Sequence, residues 1–128
     1  MSYYFAKKLT LSFNDAKNLV TERLKEQGFG VLTEIDMKST MKTKLDEDIS
    51  DYIILGACNP PSAFKALSAE ERIGLMLPCN VIVRTISDDE VEVAAIDPIA
   101  SMQAVQNNNL GETALEVQNK LKIVIESL

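Results

Sequence analysis

A chain of 128 residues, 46% hydrophobic and 25% charged, reads as one globular domain that can bury a core without disulfide or metal staples. Its formal net charge of -6 leaves no dense basic block, which argues against nucleic acid or an anionic membrane as partner. Histidine is absent, so Ser-His-Asp and Cys-His nucleophiles and His-ligated metals are excluded.

The opening MSYYFAKKLTLSF lacks the charged start and long apolar run of a secretion signal, and no apolar stretch approaches the roughly 18 residues of a membrane span. The expected setting is the cytoplasm, where thiols stay reduced and a permanent disulfide is disfavoured. Residues 3–9 read as a first strand. Ser12 then opens a helix, with Asp15 in capping-box position. Phe13, Ala16, Leu19, Val20 and Leu24 form its apolar stripe, and Gly28 suits the left-handed stop.

Residues 29–37 alternate as a strand. Phe29, Val31, Ile35 and Met37 are expected on one face, and Glu34, Asp36 and Lys38 on the other. That charged row is a candidate site, a carboxylate acting beside an ammonium; its plainer reading is a solvated strand face. A short helix is expected from Ser39 or Thr40. Lys38 and Lys42 lie one helical turn apart near its start, a weak anion-site signal.

Residues 51–58 (DYIILGAC) are apolar on both sides, so both faces of that strand need cover. Short helices or a second copy of the chain would supply one of them. Asn59-Pro60-Pro61 begins a helix, with Asn59 as N-cap and a proline at the first position. Ser68 to Glu71 reads as a capping box opening a second short helix that Pro78 ends. Residues 79–86 and 91–96 form a hairpin, and Asp97-Pro98 repeats the cap-plus-proline device. Asn109 is the expected N-cap of a last helix with Leu110, Ala114, Val117, Leu121, Val124, Ile125 and Leu128 along one stripe. The order predicts an α+β fold: a mostly antiparallel sheet of about five strands, two long helices on one face and short helices between strands.

GFGVLTEIDMKSTMKTKL (28–45), YIILGACNPPSAFKAL (52–67), IGLMLPCNVIV (73–83) and AAIDP (94–98) resemble the domain of unknown function 302 family. The matching positions are Glu34, Asp36, Lys38, Cys58, Asn59, Pro60, Pro61, Pro78, Cys79, Asn80, Asp97 and Pro98. The resemblance implies a compact α+β domain of TATA-binding-protein-like topology that forms a homodimer. It implies no activity.

Cys58 ends one strand and Cys79 begins the next, so the two Cys-Asn dipeptides are expected to meet at one rim of the sheet. Three functions stay open on these residues. The first is a homodimeric module binding a small molecule at Cys58, Asn59, Cys79 and Asn80, with Asp97 a further candidate. The second is a thiol enzyme for redox or sulfur transfer, since a helix N-terminus lowers a thiol pKa and Cys58 precedes one. The third is a structural or partner-binding protein. A thiol pair with methionine help could suit Cu(I), but two cysteines without histidine fall short of a zinc site, and no metal or cofactor is expected.

Overall fold

The computed structural model describes residues 2–128. Its strands are β1 (Tyr4–Leu9), β2 (Gly30–Asp36), β3 (Tyr52–Cys58), β4 (Cys79–Ser87) and β5 (Glu90–Ile96). They form one antiparallel sheet in the order β1-β5-β4-β3-β2. The helices are α1 (Phe13–Glu26), α2 (Met37–Leu45), α3 (Pro60–Ala69), α4 (Pro98–Ser101) and α5 (Gly111–Glu126), with a 3-10 turn at Ile73–Met76. The α+β class, the five strands and the two long helices are as the sequence predicts.

The registers show why α1 and α5 share one face. Phe5, Ala95, Val81 and Leu55 stand in one row across the strands, and Val93, Val83 and Ile53 in the next. Ala16, Val20 and Leu24 of α1 close on them, as do Val117, Leu121, Val124 and Ile125 of α5. Each large member contributes roughly 1.5–3 kcal/mol by leaving water. The other face carries Ile35, Ile54, Ile82 and Ala94 in one row and Tyr52, Arg84 and Glu92 in the next. Neither long helix covers it, and α2 packs against β2 and β3.

Local chemistry sets the helix ends. The Ser12 hydroxyl accepts the Asp15 N–H, and after α1 the chain turns through Gly28 at φ +84°. There the Phe29 N–H reaches back to Leu24, the closure that a left-handed residue permits.

Four expectations change. Val31 pairs with Ala57 and Thr33 with Gly56, so Leu32 is an extra, bulged residue. The bulge reverses the alternation, sending Ile35 to the uncovered face and Glu34 and Asp36 to the helix side, opposite Leu55 and Ile53. Helix α2 starts at Met37, earlier than expected, because the Asp36 carboxylate accepts the Ser39 N–H; Lys38 therefore leaves the strand row. Ser68 opens no new helix: its hydroxyl donates to the Phe64 carbonyl inside α3, which runs on to Ala69. Finally, Asn109 does not cap α5. Leu110 holds that position without a side-chain bond, and Asn107 takes the Asn109 N–H instead.

Candidate functional site

Beneath the ends of β3 and β4 lies a cavity of about 270 Å³. Its floor is Ala57, Cys58 and Cys79 at the strand ends, and its walls are Ala63, Ala66 and Leu67 of α3 and Leu110, Ala114 and Val117 around α5. Pro98, Met102, Leu77, Pro78, Phe29 and the bulged Leu32 complete it. The small side chains make the space, since four alanines face it where larger residues would fill it. Among the described residues no charged side chain lines the cavity, and its polar members are Asn59, Ser62 and Thr113, besides the thiols.

Cys79 pairs with Ala57, so Cys58 stands one register step away on the neighbouring strand. Both thiols are free. Cys79 is buried, and the loss of water together with the nearby Cys58 pushes its thiol up to about 11. It is therefore a neutral wall at ordinary pH. The described residues include no group of three Cys, Asp or Glu side chains placed to hold a metal ion.

Asn59 is buried, and both ends of its amide are engaged. Oδ1 accepts the Ser62 N–H at 3.3 Å, capping α3, and Nδ2 donates to the Gln27 carbonyl at 3.2 Å. The same Nδ2 passes so close to Gly28 that a Cβ there would meet it at 3.1 Å. Asn59 thus ties the end of α1 to the start of α3.

The other sequence candidates do not gather here. Asn80 follows Cys79 on β4, so the pleat turns it to the uncovered face, where it is exposed in a shallow depression with Tyr4, Tyr52, Ile82 and Arg84. The expected meeting of both Cys-Asn pairs is therefore split: Cys58, Asn59 and Cys79 share one cavity, and Asn80 lies across the sheet. Glu34 pairs with Lys17, Asp36 caps α2, and Lys38 reaches Asp51 at 3.4 Å. Lys42 is held by Asp46 and Asp48, so Lys38 and Lys42 of α2 both face acids. Asp97 accepts the Ile99 N–H, starting α4, and also the Gln118 side-chain amide of α5, each at 3.0 Å. It fixes the helices beside the cavity without lining it.

Sequence reasoning missed the alanines, Thr113 and Met102 as site residues. Ala114 reads as ordinary helix stripe, and only the juxtaposition of α3 with α5 makes it, together with Ala63, part of a wall.

The architecture defines an α+β domain with one open-faced antiparallel sheet. The chain belongs to the family described as domain of unknown function DUF302, whose sequence pattern it matches over residues 5–128. Its fold is similar to the crystal structure of the uncharacterized conserved protein DUF302 from Bacillus stearothermophilus, at 21% identity and a TM-score of 0.90, with 98% of each chain covered. No curated protein matches it.

Proposed function

We propose that this chain is a homodimeric binding module for a small molecule, held in the cavity at Cys58, Asn59 and Cys79. The observation that carries this reading is the cavity itself. It is a concave, apolar pocket with a few polar groups, bounded by strand ends and helices, the usual anatomy of a ligand site. Amide chemical shifts recorded against a library of small molecules test it. Changes are expected at Cys58, Ser62, Ala66 and Ala114; shifts confined to the opposite face of the sheet, or none at all, would overturn it.

Dimerisation is supported by the face that α1 and α5 leave uncovered. An apolar row of Ile35, Ile54, Ile82 and Ala94 is flanked by aromatic and charged residues, a composition suited to an interface. Arg84 and Glu92 bond each other at 2.9 Å on this face. A two-fold copy can bring each opposite its counterpart, so the patch is charge-complementary to itself. Sedimentation equilibrium at micromolar concentration is expected to give a dimer, and Ile82→Lys a folded monomer. A wild-type monomer would contradict the assignment.

A thiol enzyme has less support. Burial keeps Cys79 protonated near neutral pH, which removes it as a nucleophile or as an easily ionised partner for Cys58.

A further inference from the structure

The start of α3 borders the cavity, and a helix N-terminus ordinarily attracts anions through its free N–H groups. Here those donors are removed one by one. Pro60 and Pro61 have no N–H to offer. The Ser62 N–H is taken by the Asn59 side chain, and the Ala63 N–H by the Asn59 carbonyl at 2.9 Å. The helix start that borders the cavity therefore has no free N–H to offer an anion.

The remaining surroundings agree. The short helix α4 starts the same way, with Pro98 on the cavity wall and the Ile99 N–H bound to Asp97. The start of α5 has no side-chain cap but carries the acidic Glu112 in its first turn, whose charge offsets the attraction of that helix end for an anion. No charged side chain among the described residues lines the cavity, and the buried Cys79 thiol is neutral. An anion placed here would lose its water and find no cation to balance its charge. A hydrocarbon would lose nothing, and one hydroxyl or carbonyl could find the Ser62 or Thr113 hydroxyl.

From these contacts we infer that the cavity takes an uncharged, hydrocarbon-rich molecule and rejects carboxylates and phosphates, an inference that rests on the cavity being the ligand site. Size narrows the class. A cavity of about 150 Å³ accommodates benzene. By that scale the 270 Å³ here suits about ten non-hydrogen atoms, a ring with a short substituent or a medium-length chain bearing one polar group.

The test compares 1-octanol with octanoate, probes of the same chain length that differ in charge, by calorimetric titration at pH 7.5 and by thermal shift. Octanol is expected to bind at least about tenfold more tightly than octanoate. Ala114→Leu, which fills the space, is expected to abolish octanol binding while the circular dichroism spectrum stays native. Ala63→Leu fills the same space from α3 and stands in should the first variant fail to fold. Octanoate binding as tightly as octanol, with loss of both in the filled variant, would overturn the charge selection while leaving the cavity as a ligand site. Octanol binding that the filled variants leave unchanged would overturn the location as well. Failure of both probes would overturn this inference; shifts at Cys58 and Ala114 with polar library members would then keep the wider binding reading alive.

Discussion

Gly56→Ala is expected to destabilise the fold by about 3 kcal/mol, the upper range for forcing atoms into a packed interior. A Cβ built at Gly56 would lie 2.2 Å from Thr33 Oγ1 and 2.8 Å from Pro78 Cγ. Neither neighbour yields easily. Thr33 is branched at Cβ and held on β2 opposite Gly56 itself, and the Pro78 ring is stiff and leads into β4. Urea denaturation of the single variants and of Gly56→Ala with Thr33→Ala separates the two contacts. The double variant is expected to recover about half of the loss, because the proline remains. A Gly56→Ala loss below about 1 kcal/mol would show that the strands part freely there, contrary to the packing described. The same crowding explains the glycine in an otherwise bulky, apolar β3: the side chains of β2 and of the segment entering β4 converge on its backbone.

Alkaline pH is expected to weaken the fold through Cys79. Below pH 9 the thiol is protonated in both folded and unfolded chains and contributes no pH dependence. Between the ordinary value of 9.0 and about 11 the unfolded chain loses its proton while the folded chain keeps it. Stability therefore falls as pH rises through that window and levels off above it. Each pH unit of that interval corresponds to about 1.4 kcal/mol, so the full loss is about 2–3 kcal/mol. Denaturation curves for wild type and Cys79→Ala from pH 8 to 11.5 isolate it, since the two chains differ at that one side chain. Parallel pH profiles for the two proteins would mean that the Cys79 thiol ionises freely. In agreement with its protonated state, iodoacetamide at pH 7.5 is expected to leave Cys79 unmodified until the chain is denatured.

Much of the architecture was legible because it is written in local or periodic signals. The stripe from Ala114 to Ile125 needed a sheet to cover, and it covers one. Asn59-Pro60-Pro61 and Asp97-Pro98 specify helix starts by the shape and hydrogen bonding of those residues alone, and both start helices. The misread places depend on partners distant in sequence. Nothing in Val31-Leu32-Thr33 announces that Leu32 will be squeezed out of register, because the cause lies in pairing with β3. Ser68 to Glu71 has the residue pattern of a capping box, yet the Ser68 hydroxyl finds a carbonyl one turn back. The cysteine beside Asn80 suggests a place next to Asn59, but the pleat of β4 turns Cys79 inward and Asn80 to the opposite face of the sheet. The cavity was half legible: its floor of Cys58, Asn59 and Cys79 comes from the quoted motifs. Its ceiling of alanines comes from two helices some fifty residues apart.

The bulge at Leu32 also bears on what becomes of the chain at high concentration. An outer strand with a flat run of free N–H and C=O groups is a template for another molecule, and stacking of that kind leads to open-ended aggregates. Here β2 is one outer strand, and its extra residue breaks the even spacing such a template needs. On the other outer strand, β1, Lys7 and Lys8 are consecutive, so an approaching strand of a second copy would have to meet charge on both faces. Association along the edges is discouraged at both ends of the sheet. The proposed contact through the broad surface is two-fold by contrast, and it closes after two copies instead of growing into a fibre.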